Sequence, residues 1–369
     1  MKARTWVILL TLFAVLVSAC GGAATPTPTS GQRPAATATS ATSGATSAAS
    51  GAAAASPSAA SAGTTPTAKG GTARLAMIMP GTIEDADYNF VGYQALQDLH
   101  RTLGIDVAYQ ERVAPADAER VARGFINDGY TIIAFHGGQF VTTVQSLAPQ
   151  FPNVTFIMES AGPTQNLPPN VWNIGRRFFE GFYALGALGA LATKSNKVGI
   201  VLGVQLPDFI AAINAIKQAV QENNPKATVV YTFVGDQNDP VKARQAAEAQ
   251  VNDGVDFIIM VVNLGAQGVI EAVKGKPVLI TTYYTDKYNQ APQNMAASLL
   301  TDFSTPYANV VKNILAGKRS GYEEMRPGNG MSLSPIHNVS PDVAAKVQDI
   351  FQKVASKQIQ VPEVLQLPK

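Results

Sequence analysis

From residue 73 onward the chain alternates short runs rich in valine and isoleucine with longer amphipathic stretches, and this alternation restricts the fold more than any other feature. The strand candidates are Ala73–Met79, Ile105–Gln110, Thr131–Phe135, Val154–Met158, Lys197–Leu202, Thr228–Val234, Asp256–Val262, Val278–Tyr283 and Met295–Leu300. Runs that are apolar almost throughout suit strands buried on both faces of a parallel sheet. Between them lie helix patterns. Phe209, Ile213, Ile216 and Val220 share one helical face, and Pro207-Asp208 supplies a start signal before them. Repeated strand–helix units imply an α/β fold, doubly wound, with right-handed crossovers. Nine strands are better housed in two sheets than in one.

The chain has 369 residues, and the folded unit is expected to begin near residue 72. Met1 to Cys20 carries Lys2 and Arg4, then the apolar run Trp6 to Val17, then Ser18 and Ala19. That is the layout of a secretory signal, and the apolar run is short of the ~20 residues a membrane span needs. A signal peptide cleaved near Ala19 and an uncleaved anchor both fit this layout. Val17-Ser18-Ala19-Cys20 resembles the lipobox of bacterial lipoproteins, in which the cysteine is acylated and becomes the mature N-terminus. Cys20 is the only cysteine, which removes any intrachain disulfide and any multi-cysteine metal or redox site. From Gly21 to Gly70, 47 of 50 residues are Gly, Ala, Ser, Thr or Pro, so the segment has no large side chains to offset its ordering entropy. A disordered tether over 20–71 is expected.

The formal charge of +2 is misleading. Lys2, Arg4, Arg33 and Lys69 all precede the folded region, which leaves it 24 bases against 26 acids. A nucleic-acid binder needs a clustered basic face, and this composition argues against one.

Ligands of open α/β sheets bind beyond the strands' carboxyl ends. The segments there read Pro80-Gly81-Thr82-Ile83-Glu84-Asp85, His136-Gly137-Gly138-Gln139-Phe140, Glu159-Ser160-Ala161-Gly162, Gly203-Val204-Gln205, Gly235-Asp236-Gln237-Asn238-Asp239, Asn263-Leu264-Gly265-Ala266-Gln267-Gly268 and Tyr283-Tyr284-Thr285-Asp286. Glycine lets backbone amides approach a ligand, carboxylates and amides hold hydroxyls, and aromatics stack on planar rings. Any single loop is equally explained by turn formers and helix caps. Seven such loops converging on one crevice favour a binding site.

Catalytic signatures do not emerge. The sequence has no phosphate loop, no dinucleotide fingerprint after a strand, no nucleophile elbow and no H-E-x-x-H pair. His136 is the one histidine expected near the crevice, and a structural hydrogen bond explains it better than catalysis. Glu84, Asp85 and Asp87 read most simply as the start of a helix, where the dipole favours negative charge.

Three segments bring a family into view. Gly81-Thr82-Ile83-Glu84-Asp85-Ala86-Asp87-Tyr88-Asn89 resembles a G-x-x-D-D-x-S-F-N signature. Glu180 to Leu188 followed by Thr193 to Gly199 is similar to an E-G-x-Y-L-x-G-x-x-A…T-K-x-x-K-x-G run. Asp239-Pro240-Val241-Lys242, Gly254-Val255-Asp256 and Gly265 to Ile270 resemble D-P-x-K…G-A-D…G-x-x-G-V-I. In this order and spacing, the chain resembles the basic membrane protein family of bacterial lipoproteins, substrate-binding proteins of ABC transporters that include purine-nucleoside receptors.

The resemblance implies the two-lobed periplasmic-binding fold of type 1, with lobe one at 72–175 and 285–317 and lobe two at 176–284 and 318–369. It implies a ligand clamped by hinge closure, an aromatic sandwich around a purine base, acids and amides on the ribose, a permease as partner, and a monomer without cofactor or catalysis. By position it nominates Asp85, Tyr88, Asn89, Tyr93, Glu159 and Asp286 as ligand contacts; the strand-end loops and their neighbouring aromatics add Gly138, Phe140, Phe179, Gly203, Asp239, Gly265 and Tyr284, and the lipobox marks Cys20 as the lipidation site. Three positions depart from the family pattern: Tyr284 replaces an Asp, Gln237 an aromatic, and Ser304 stands near an expected Lys. A receptor of the same fold for a sugar, amino acid or signalling molecule is the alternative. A surface enzyme using Glu159, Asp239 or Asp286 is the more distant one.

Overall fold

The computed structural model describes residues 73–368, so the expected signal peptide, Cys20 and the tether lie outside the described residues. Twelve strands and nine α-helices are seen among them. The chain runs β1 (Arg74–Ile78), α1 (Tyr88–Leu103), β2 (Asp106–Gln110), α2 (Ala118–Asn127), β3 (Ile132–Phe135), α3 (Val141–Leu147), β4 (Thr155–Ser160) and β5 (Val171–Arg176). It continues through α4 (Phe178–Ala192), β6 (Lys197–Leu202), α5 (Pro207–Asn223), β7 (Thr228–Phe233), α6 (Pro240–Asn252), β8 (Phe257–Val261), α7 (Ala266–Val273), β9 (Leu279–Tyr284) and β10 (Met295–Thr301). It ends with α8 (Ser304–Leu315), β11 (Gly321–Pro327), β12 (Gly330–Leu333) and α9 (Pro341–Ala355).

The strand order is β2-β1-β3-β4-β5-β11-β12-β10-β9-β8-β6-β7. It divides into two six-stranded halves, because β11 and β12 are joined by two residue pairs only, Arg326 with Gly330 and Pro327 with Met331. Every pairing is parallel except β10 with β12. One apolar core runs through both halves, containing Leu75 and Ile174 on one side and Ile200 and Ile259 on the other. Two smaller cores lie on the opposite faces, around Phe135 and Phe156 in the first half and around Ile258 and Val269 in the second.

All nine expected strands are present. β5, β11 and β12 were not legible because their sequences, VWNIGR, GYEEMRP and GMSL, mix polar residues into short apolar stretches. All of β5 is nevertheless buried, with Asn173 and Arg176 held by partners far away in sequence.

Two of the sequence-based boundaries fall elsewhere in the sheet. The expected boundaries put β10 in lobe one, yet it pairs in parallel with β9, with a register shift between Met295 and Ala297. They put segment 318–327 in lobe two, yet β11 pairs with β5 from Gly321 to Met325. By strand pairing the chain crosses between halves after Arg176, after Thr301 and after Pro327. The reason lies in the hydrophobic pattern, which marks strands without stating their neighbours.

Helix ends follow local chemistry. Pro207 occupies the first turn of α5, where its missing N–H costs nothing. Asp239 caps α6, its Oδ1 accepting from the N–H groups of Val241 and Lys242 at 3.0 Å each. α1 closes on Gly104 at φ 65°, the left-handed position glycine tolerates best.

Candidate ligand-binding cleft

The carboxyl ends of both half-sheets face one cleft. Its central cavity, about 250 Å³, is lined from the first half by Pro80, Tyr88, Asn89, Gln139 and Arg176, and from the second by Leu206, Phe209, Gln237, Asn238, Asn263 and Tyr284. A neighbouring cavity of about 310 Å³ shares Arg176 and Leu206 and adds Gly138, Ser160, Thr164, Asp208 and Glu363. A further cavity of about 380 Å³ lies around Arg177, Glu180, Arg326 and the segment 359–362, and none of the strand-end loops contributes to it.

The wall of the cleft is built on a buried polar cluster. Glu159, fully buried at the end of β4, accepts from the Tyr88 hydroxyl at 2.6 Å and the Tyr307 hydroxyl at 2.7 Å, and lies 2.6 Å from His136 Nδ1. His136 Nε2 lies 2.8 Å from the Tyr88 carbonyl. Both ring nitrogens therefore face oxygen atoms. Burial pushes the Glu159 carboxyl up. The charges of His136 and Arg176 and the Tyr88 hydroxyl outweigh burial and hold it below the ordinary glutamate value of 4.5. The Tyr88 ring stacks on His136 with centroids 4.0 Å apart and an interplanar angle of 13°. Its hydroxyl accepts from Arg176 Nη1 at 2.9 Å.

Arg176 reaches across the cleft. Its Nη2 lies 2.9 Å from Asp208 Oδ2 in the first turn of α5, close enough for an ion pair. Neither Asp208 Oδ2 nor Arg176 Nε has a hydrogen-bond partner. Burial opposes the charge on Arg176, and Tyr88, Asp208 and Glu159 more than restore it. Gly138 makes room for this side chain, since a Cβ there would lie 2.7 Å from Arg176 Nη2. A second bridge joins the halves where the Lys287 ammonium contacts Asp87, both buried, and Thr285 donates to the Ala86 carbonyl at 2.8 Å.

Tyr284 ends β9 at φ 72°, a backbone region that costs a bulky residue of order 1–3 kcal/mol and that concentrates at ligand clamps. Its ring lies 3.7 Å from that of Tyr283 and 5.3 Å from that of Tyr88, centroid to centroid. The conformation turns a strand residue into the cleft.

The structure separates the nominated residues. Tyr88, Asn89 and Tyr284 line the central cavity, and Gly138 lines its neighbour. Glu159 stands behind the wall and orients Tyr88 and His136. Asp85 is spent on α1, its two oxygens accepting from the N–H groups of Asp87, Asn89 and Phe90 and from Asn89 Nδ2. Asp239 caps α6, and Asp286 accepts from Ser298 Oγ at 3.0 Å and from the Tyr288 N–H at 3.1 Å. Phe140 and Phe179 are fully buried in core. Tyr93 packs edge-on against Tyr109 on the outer side of α1. Gly203 and Gly265 face Gln237, whose side chain and carbonyl fill the space a Cβ would need. Sequence reasoning did not single out Arg176, Phe209, Gln237, Asn238, Asn263 and Gln139, which line the central cavity. Five of the six sit on strand-end segments or in the helix turn beside them; Arg176 closes β5, a strand whose mixed sequence hid it, and stands next to a second arginine.

Comparison with known proteins places this cleft in a family. A family model described as ABC transporter substrate-binding protein PnrA-like (Bmp) matches residues 72–363. The chain belongs to this family. Among Bmp relatives, a purine-binding protein of Brucella abortus is 23% identical over 292 residues, covering 78% of this chain and 82% of that protein. A putative ABC transporter glucose-binding protein of Haloferax volcanii is 23% identical over 286 residues, covering 76% and 71%. The crystal structure of a solute-binding protein of an Aeropyrum pernix ABC transporter system superposes with a TM-score of 0.70 at 20% identity, covering 79% of this chain and 94% of that one. The mostly parallel α/β architecture of this Bmp chain is thus that of ABC solute-binding proteins.

Proposed function

We propose that this substrate-binding protein is a lipid-anchored receptor on the extracytoplasmic side, that its two halves are lobes closing on a purine nucleoside, and that it hands the ligand, as a monomer, to an ABC permease. The observation that carries the reading is the cleft wall: the rings of Tyr88, Tyr284 and Phe209 beside the amides of Asn89, Gln139, Gln237, Asn238 and Asn263. Aromatic faces suit a planar base, and amides, each donor and acceptor, suit its edge and the ribose hydroxyls. A cavity of about 250 Å³ is small against the ~300–1,000 Å³ of drug-sized sites and fits a ligand of nucleoside size better than a peptide. The name of the Brucella relative points the same way. The amides take the place of the carboxylates expected around the ribose, since Asp85, Asp239 and Asp286 are engaged as caps and turns.

Thermal-shift screening of the chain against nucleosides, sugars and amino acids tests the ligand. A native-state ligand at a hundred times its dissociation constant adds about 2.7 kcal/mol. Guanosine, inosine or adenosine should raise the melting temperature by several degrees. A sugar that raises it while all three leave it unmoved refutes the nucleoside reading. For the anchor, a Cys20→Ala variant should appear in the culture medium, and its retention on the membrane would refute acylation of Cys20.

A further inference from the structure

We propose that Arg176 sets the ligand specificity of the cleft, selecting a neutral purine nucleoside whose base presents a carbonyl oxygen, a 6-oxopurine, over an aminopurine and over nucleotides. The inference rests on the nucleoside reading above and narrows it.

Arg176 is the one charged side chain on the wall of the central cavity among the described residues. A guanidinium carries five N–H donors and no acceptor. Two of its nitrogens are engaged, Nη1 with the Tyr88 hydroxyl and Nη2 with Asp208, while Nε has no partner although the residue is 4% exposed. Donors are therefore in excess at this point. Arg176 also stands at the aromatic end of the cleft, its guanidinium carbon 5.6 Å from the Tyr88 ring centroid and 5.5 Å from that of Phe178. A base lying against Tyr88 and Tyr284 brings its edge to that guanidinium. A carbonyl there accepts. An exocyclic amino group there sets donor against donor and leaves both unsatisfied, a cost of about 1–3 kcal/mol or roughly tenfold to hundredfold in affinity.

Charge separates nucleosides from nucleotides. Arg176 already faces two carboxylates, Asp208 at 2.9 Å and Glu159 at 3.6 Å. It has donors to spare and no charge to spare. In the neighbouring cavity Asp208 is joined by Glu363, so a phosphate would meet carboxylates without a free cation to match it.

Isothermal titration of the full chain with inosine, adenosine and inosine 5′-monophosphate tests this. Inosine should bind at least tenfold more tightly than adenosine, and the monophosphate at least tenfold more weakly than inosine. Arg176→Lys keeps the charge and removes the planar fork, and should bring the inosine-to-adenosine ratio below threefold with little change in the melting temperature. If that variant does not fold, the Arg176→Gln, Asp208→Asn pair keeps the local charge balanced and carries the same expectation. Equal binding of inosine and adenosine, or discrimination that survives either variant, overturns the inference and leaves the nucleoside reading standing. Failure of every nucleoside to bind, with a sugar or amino acid binding instead, overturns both.

Discussion

Replacing Glu159 by glutamine removes one negative charge from the centre of the cleft wall and leaves its shape almost unchanged. The carboxylate is fully buried and has three partners within 2.7 Å, His136, Tyr88 and Tyr307, with Arg176 at 3.6 Å. The amide keeps one accepting oxygen. Its nitrogen has to face either the Tyr88 hydroxyl, which already accepts from Arg176, or the His136 ring. The larger loss is electrostatic, because the buried Arg176 guanidinium would keep Asp208 as its one remaining close anion. Removing one partner from a buried ion pair costs about 3–5 kcal/mol. At about 2–3 °C per kcal/mol for a chain of this size, the melting temperature at pH 7 should fall by roughly 6–15 °C. The pH dependence gives a second handle. The Glu159 carboxyl titrates below its ordinary 4.5 in the folded protein, so its contribution is present above that value and is lost as the pH falls through the depressed folded value. Calorimetry on both proteins from pH 7 down to pH 3 should therefore show a gap that narrows below about pH 4.5. A gap at pH 7 under about 1 kcal/mol, or one that widens on acidification, would refute the claim that this carboxylate holds the wall together.

Asp87 titrates in the opposite sense. Burial pushes its carboxyl up to about 6 against an ordinary 3.8, with Lys287 opposing, so its contribution falls as the pH rises from 3.8 to about 6. Asp87→Asn should match the wild type near pH 3.5 and exceed it by up to about 3 kcal/mol at pH 7; a variant less stable at pH 7 would mean that the bridge to Lys287 outweighs burial. Tyr284→Ala should weaken nucleoside binding by roughly tenfold to hundredfold, the ~1–3 kcal/mol of one base–aromatic stack, in the same titration assay. Unchanged affinity would remove Tyr284 from the ligand. Gly138→Ala pushes a methyl group into Arg176 Nη2 and should cost about 1–3 kcal/mol of stability together with inosine affinity. A crystal structure of that variant with Arg176 unmoved would contradict the packing argument.

The nine strands read from sequence are short runs of mostly apolar residues, a property of each segment alone; seven are buried almost throughout, and β2 and β7 at the sheet's ends are half-buried or exposed. β5 escaped notice because Asn173 and Arg176 are made tolerable by Gly162, Tyr88 and Asp208, which only the folded chain brings near. The site shows the same division. Gly138 was legible from its strand-end loop, Tyr88 and Asn89 from their place in the family segment, and the helix-start role of Asp85 from the local acids, since a cap is decided within four or five residues. Whether such an acid also meets a ligand was not legible.

What the sequence determined by itself is nine of the twelve strands, their order, and the chemistry clustered at their ends. Those follow from periodicity and local hydrogen bonding, which need no knowledge of distant residues. The tertiary structure decided which strands are neighbours, moving β10 to the second half and β11 to the first. It also decided which of two adjacent arginines matters to the cleft. Arg176 closes β5 and enters the wall against Tyr88 and Asp208, whereas Arg177 has left the strand at the N-terminus of α4 and pairs with Glu180 at 2.6 Å. The charge of the cleft is set by that one-residue difference in direction.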